Sequence, residues 1–366
     1  MRIHADYSGA NILVRELSPA GAVLEQDIRD TAEWWFYWNF RVEGAQGQDL
    51  VLRFANGEVL GPWGPCVSRD GIRWDWAGPD TLIDRTSFRY RFGPTDRSVY
   101  FSLSMPYQRS DLDRFLAERA GDPRLRSAEL AVTSKGRSAP VLSIGAARSG
   151  KHLLFACRHH ACESPASYQL EGIMDYFLGD AARDFVDAYG VIVVPFVDLD
   201  GVEDGDQGKS RAPHDHNRDY TDDPLYPTVR AIQGLSREKE FVGAFDCHSP
   251  WKWGGRNDYP FIVKQPSPMK ERTEEFSVVL KRVVDTSANP GDILYDPSQD
   301  IEPRTEWNTC ESPTFTKYHN VYGVRLGFGF EMPYFGVPGQ VYTQDKLRKF
   351  GACYAQAIHA WFDGAS

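Results

Sequence analysis

HLLFACRHHACESPAS, residues 152–167, decides the fold. Its first residues form a nearly unbroken apolar run, as expected of a strand covered on both faces of a parallel sheet. The run stops at His159, His160 and Glu163, residues that would be costly inside a core. Ser164 can then cap a helix, Pro165 suits its first position, and Leu170, Ile173, Met174, Phe177 and Leu178 follow at helical spacing. An apolar strand, a polar ending and an amphipathic helix make the repeating unit of an α/β domain.

Three further runs repeat the strand with its polar ending. VIVVPFV from Val191 ends at Asp198 and Asp200, VGAFDC from Val242 at Asp246 and His248, and VRLGFGF from Val324 at Glu331. Two more helical patterns carry Phe276, Val279, Leu280, Val283 and Val284, and Leu347, Phe350, Tyr354, Ile358 and Trp361. The helical register begins at SDLDRFLAERAGD from Ser110, so the α/β domain is expected over residues 109–366.

Upstream, WWFYWNFRV from Trp34, DLVLRFANG from Asp49, SFRYRFG from Ser87 and SVYFSLSMPY from Ser98 alternate apolar and polar residues. Turn signals after Ala55, after Leu60 and at Arg69 separate them, which predicts an N-terminal antiparallel β-sandwich over residues 1–108. Trp34, Trp35, Trp38, Trp63, Trp74 and Trp76 read as core or inter-domain contacts rather than a sugar-binding platform.

The 366 residues are 42% hydrophobic and 25% charged with a mean hydropathy of -0.46, which excludes a disordered, collagenous or coiled-coil chain. A net charge of -10 without a basic stripe argues against a nucleic-acid partner. No run of about 18 apolar residues predicts a membrane span, and MRIHADYSGANILVREL has no secretory leader pattern. Six dispersed cysteines without a CxxC pair suit reduced thiols, so a cytoplasmic location is expected. No feature of the sequence specifies an oligomeric state.

Ligands of open α/β sheets bind at the carboxyl ends of the strands, so the polar endings are expected to converge. His160 and Glu163, an HxxE pair, together with His248 supply two imidazoles and one carboxylate, the donor set of a zinc site with an open position. Iron, nickel and manganese accept the same donors. Asn217 and Arg218 can grip a carboxylate, although Arg218 could also pair structurally with Asp219 or Asp222. Glu331 offers a general base, or a cap in the turn GFEMPYFG. His159 should point away from its neighbour His160 as a supporting or surface residue. His214 and His216 read as solvated, and Trp251 and Trp253 as pocket mouth or loop packing.

HxxE, then Asn-Arg, then His, then a late Glu resembles the zinc metallocarboxypeptidase family. WWFYWNFRV, YFSLSMPY and FGFEMPYFG resemble its cytosolic carboxypeptidase branch, which carries a β-sandwich before the catalytic domain. The resemblance implies a mixed-sheet α/β/α catalytic domain and one Zn2+ per chain on His160, Glu163 and His248. It further implies that Asn217 and Arg218 hold the α-carboxylate of a peptide or protein C-terminus. Glu331 would be the general acid/base toward a metal-activated water that hydrolyses the last peptide bond.

The family's second cation, which polarises the scissile carbonyl, would be Lys209 or Arg211 from DLDGVEDGDQGKSRAPHDHNRD, residues 198–219. The chain departs from the family at Asp198-Leu199-Asp200-Gly201, where Asn-Pro-Asp-Gly is usual. It also has Phe315, with Lys317 nearby, where glutamate-trimming relatives carry a basic residue. Polyglutamate specificity is therefore not expected unless Arg256, Arg304 or Arg325 forms a local pocket. Tyr318 and Tyr322 are the candidates for a substrate-capping tyrosine. The alternatives are a zinc amidohydrolase or deacylase acting on N-acyl amino acids or cell-wall fragments, and a non-catalytic protein that binds through the sandwich.

Overall fold

The computed structural model describes residues 1–31, 36–309 and 311–364; Trp34, Trp35 and Cys310 lie outside them. Two sheets face each other in the N-terminal part. One has five strands in the order Arg2–His4, Asn39–Glu43, Ser98–Ser102, Cys66–Ser68 and Asp75–Trp76. The other has four, Leu13–Ser18, Gly21–Glu25, Asp49–Phe54 and Ser87–Arg91. Period-two alternation turns Leu50, Leu52 and Phe54 inward, where they meet Trp38, Phe40, Phe88 and Phe101 in one apolar core. The expected antiparallel pairing holds except where Gly21–Glu25 runs parallel to Asp49–Phe54. The chain between them passes through Asn39–Glu43 in the opposite sheet, and that long crossover permits a parallel return.

The tryptophans pack inside this part and against the rest of the chain. Trp38 is fully buried, Trp63 Nε1 donates to the Phe335 carbonyl at 3.0 Å, and Trp76 Nε1 donates to the Tyr342 carbonyl at 2.8 Å.

The second part is a seven-stranded mixed sheet in the order Leu125–Val132, Ser138–Ile144, Gly190–Val194, Lys151–Cys157, Glu240–His248, Leu326–Glu331 and Phe261–Val263. Its four middle strands are the four apolar runs, and they are mutually parallel. The outer strands pair antiparallel. They escape sequence reading because Leu125–Val132 exposes most of its residues and Phe261–Val263 spans only three. Helices Ser164–Leu178, Met269–Asp285 and Gln344–Phe362 bury their apolar stripes against the sheet, around Phe155, Phe245, Phe328 and Tyr354. Ser164–Leu178 and Gln344–Phe362 touch backbone to backbone. A Cβ on Gly172 would lie 1.9 Å from the Arg348 carbonyl oxygen, and one on Gly351 would lie 2.0 Å from that of Gln169.

Parallel register brings the strand ends to one edge. Cys157 stands opposite Cys247, and His248 opposite Glu331, so the last two side chains share a face. Among the described residues no helix is long and apolar enough to cross a membrane.

Candidate active site

After Cys157 the chain turns sharply at Arg158, which has a positive φ of 60°. Its buried guanidinium ties the turn down by donating to the carbonyls of Ala161 at 3.0 Å and Tyr107 at 2.8 Å and to Ser167 Oγ at 3.1 Å. His160 is thereby held above Glu163, the residue that precedes the helix Ser164–Leu178. The helix therefore starts directly after a carboxylate, which its positive end favours.

Three donors converge on one point. His160 Nδ1 lies 2.8 Å from Glu163 Oε1, and His248 Nδ1 lies 2.8 Å from Glu163 Oε2. The ligand atoms of all three residues lie within 4.8 Å of one another, close enough to hold a metal ion. Each imidazole turns its other nitrogen to a carboxylate, His248 Nε2 to Asp246 Oδ2 at 2.7 Å and His160 Nε2 toward Asp215 Oδ1 at 3.6 Å. This leaves Nδ1 of both rings facing Glu163, as the atom that would be free to bind a metal. Burial works to raise the Glu163 carboxyl, but the charges of His160, Lys209 and His248 overcome it and hold the group well below the usual range. Burial likewise opposes charge on His160 and His248, yet the surrounding carboxylates raise both. Such a field favours a cation between the rings, and two nitrogens with one carboxylate oxygen fit zinc. A second cluster, His159, Asp246 and His248, has ligand atoms equally close but is wholly buried and bonded to its own members.

Of the two cations expected near the metal, the structure brings in Lys209. Gly208 has φ +81° and passes so close to the His160 turn that a Cβ would meet Ala161 N at 2.4 Å. Lys209 Nζ then reaches Glu163 Oε1 at 2.6 Å and donates to the Ser249 carbonyl at 2.9 Å. Arg211 turns away. Its Nη2 lies 2.7 Å from Asp198, 3.2 Å from Asp206 and 3.4 Å from Asp30, an acidic cluster behind the site that holds its charge.

Asn217 is buried, with Nδ2 donating to Asp246 Oδ2 at 3.1 Å and Oδ1 accepting from the Phe315 amide at 3.0 Å. Arg218 donates from Nη1 to the Asn217 carbonyl at 3.0 Å and lines the cleft. Glu331 is only 7% exposed, and its Oε2 has no hydrogen-bond partner among the described residues. Burial raises its carboxyl; Glu163 adds to the rise while His248 and Lys209 oppose it.

Two cavities meet at this point and share His160, Arg218, Trp307 and Glu331. The inner one, about 90 Å³, is walled by Asn217, Val263, Gln265, Thr316, Lys317 and Gly329. The outer one, about 440 Å³, is walled by Lys209, Asp215, Pro250 and Trp251. Trp251 therefore sits at the mouth, whereas Trp253 packs on Phe335 with ring centroids 5.7 Å apart.

Several expectations change. His216 is not solvated: it is buried and stacks on Tyr226 with ring centroids 3.6 Å apart, and burial lowers its basicity. His214 is half-buried, with Nε2 2.7 Å from Asp219. His159 is fully buried beside Asp246, a support rather than a surface residue. Phe315 is buried too, and its ring packs on His159 at 5.6 Å. Arg256 pairs with Glu306, and Arg325 packs over Trp361 and Phe362, so neither lines the cleft. The Tyr318 hydroxyl donates to that of Tyr322 at 3.2 Å, and neither ring lines either cavity. Sequence reading missed Asp215 as a partner for His160 and Asp246 as a partner for His248. The available signal was spacing, since Asp246 and His248 alternate onto one face of a strand.

The fold is that of solved metallo-carboxypeptidases. A metallo-carboxypeptidase from Burkholderia cenocepacia superimposes with a TM-score of 0.83 at 19% identity over 100% of both chains. A Pseudomonas aeruginosa metallo-carboxypeptidase in complex with (2-guanidinoethylmercapto)succinic acid matches equally, with a TM-score of 0.83 at 19% identity over 100% of both chains. The sequence is similar to the cytosolic carboxypeptidases. Mouse cytosolic carboxypeptidase 3 is 28% identical over 179 residues, 44% of this chain and 18% of that protein. The chain thus spans less than a fifth of the length of this curated relative. No family profile matches the chain.

Proposed function

We propose that this protein is a zinc-dependent metallocarboxypeptidase that removes the C-terminal residue of peptides or protein tails. The observation that carries the reading is a His160–Glu163–His248 cluster opening onto a cleft that also holds Glu331 and Arg218. Zinc on those three residues would supply Lewis acidity toward a carbonyl and a nucleophilic water at neutral pH.

Arg218 and Asn217, at the inner cavity, grip the terminal α-carboxylate, and only the last peptide bond then reaches Glu331. The succinic acid derivative bound by the Pseudomonas aeruginosa neighbour supports a carboxylate-binding cleft. Glu331 accepts the proton of the attacking water and returns it to the leaving amine, a role suited to a buried carboxylate of raised pKa. Lys209 is the cation that faces the negative charge growing on the carbonyl oxygen. The outer cavity, beside Pro250 and Trp251, receives the residues before the cut.

The division into a sandwich over 1–108 and a catalytic domain over 109–366 belongs to the same proposal. Its support is that both sandwich sheets end by Ser102 and the first α-helix begins at Arg109. Free buried thiols at Cys157, Cys162 and Cys247 suit a cytoplasmic setting.

The test is mass spectrometry of a mixed peptide library incubated with zinc-loaded protein, with Glu331→Gln as control. Loss of C-terminal residues with the wild type alone is expected. An intact library refutes the peptidase reading, and cleavage of N-acyl amino acids instead would make the protein a deacylase.

A further inference from the structure

We propose that Asp246 is a positioning residue that holds the metal site and the substrate-carboxylate grip in one geometry. This deepens the metallocarboxypeptidase reading and rests on it. Asp246 is 1% exposed, two residues before the end of the strand Glu240–His248. One oxygen, Oδ2, serves both neighbours: it takes His248 Nε2 at 2.7 Å and Asn217 Nδ2 at 3.1 Å. The other, Oδ1, lies 2.7 Å from His159 Nδ1, and His159 Nε2 meets the Tyr220 hydroxyl at 2.8 Å. Behind these groups, Phe315 packs against both His159 and Tyr220.

An ionised carboxylate only accepts hydrogen bonds. With Oδ2 beside it, His248 would keep its proton on Nε2 and leave the lone pair of Nδ1 on the side of Glu163, the residue with which it would hold a metal. The same oxygen orients the Asn217 amide. Because Asn217 Oδ1 is taken by the Phe315 amide, its NH2 group faces Asp246 Oδ2 at 3.1 Å and His248 Nε2 at 2.9 Å, which fixes the amide at the wall of the inner cavity where a substrate carboxylate would lie. Buried His159 and Tyr220 close off the far side, so the carboxylate cannot swing toward water.

The prediction is a paired defect. Asp246→Asn keeps the shape but puts an amide where an acceptor-only group stood. It should weaken zinc binding roughly 10–100-fold in chelator competition and raise KM for a peptide substrate more than it lowers kcat. Thermal unfolding of the metal-free variant should stay close to the wild type, which separates positioning from support of the fold. Asn217→Ala should raise KM while weakening zinc binding less than Asp246→Asn does, since Asn217 contacts His248 Nε2 at 2.9 Å but leaves the carboxylate under that ring in place. If Asp246→Asn binds zinc within twofold of the wild type, or if only its unfolding temperature changes, the inference is overturned. If the wild type cleaves no peptide, the functional reading fails while the chelator competition still decides the role of Asp246.

Discussion

Glu331→Gln should trade activity for stability. The substitution preserves volume and the strand Leu326–Glu331 but removes the base. General acid/base catalysis contributes about 10²–10⁴ in rate, so kcat should fall by that factor, equivalent to about 3–5 kcal/mol of barrier. Stability should move the other way. Glu331 is 7% exposed, its Oε2 lacks a partner among the described residues, and burial raises its pKa. Leaving such a group unsatisfied costs about 1–3 kcal/mol, part of which a neutral amide recovers. A carboxyl with a raised folded-state pKa binds its proton more tightly in the fold than in the unfolded chain. Its cost is therefore absent at acid pH and appears as pH rises. Metal-free Glu331→Gln should accordingly unfold at a higher temperature than metal-free wild type near pH 8, with the gap closing toward pH 4. Calorimetry at both pH values and kinetics on the zinc-loaded proteins read both arms. A variant that keeps more than a tenth of wild-type kcat, or that is less stable than wild type at pH 8, refutes the reasoning.

Asp300 provides a pH test outside the three-donor cluster: burial pushes its carboxyl up to about 6, although Ile262 N, Ser277 and Tyr295 donate to it and oppose the rise. Relative to Asp300→Asn, the wild type should lose roughly 3 kcal/mol of unfolding free energy between pH 4 and pH 7, measured by urea titration; a flat difference would contradict the assignment. Gly172→Ala should destabilise by about 1–3 kcal/mol or more in the same titration, because its Cβ would collide with the Arg348 backbone and force two packed helices apart. Lys209→Met should lower kcat about 10²–10³-fold on peptides, whereas Arg211→Met, which unpairs Asp198, should act mainly on unfolding temperature; equal effects of the two on kcat would show that Lys209 has no special place.

The four parallel strands were legible because burial on both faces forces continuous apolar runs, and each run ends where the chain meets the cleft. His160, Glu163 and His248 stood out for the same reason, as polar residues at the ends of strands too apolar to tolerate them. The exposed edge strand Leu125–Val132 and the short Phe261–Val263 carried no such pattern. Residues 198–219 were harder still. Counting along the loop placed Lys209 and Arg211 on equal terms, since neither hydropathy nor spacing says which side chain turns inward.

Sequence alone thus determined the four middle strands, three of the helices that cover them and the donor types at the strand ends, because local periodicity and residue chemistry encode these. Tertiary structure decided which groups meet. A glycine at positive φ against the His160 turn sends Lys209 to Glu163, and an acidic trio captures Arg211. Strand register and the loop's path put Asp246 under both His248 and Asn217. The contact of His248 with Glu163 joins residues 85 positions apart, at a distance of 2.8 Å that only the folded sheet can set.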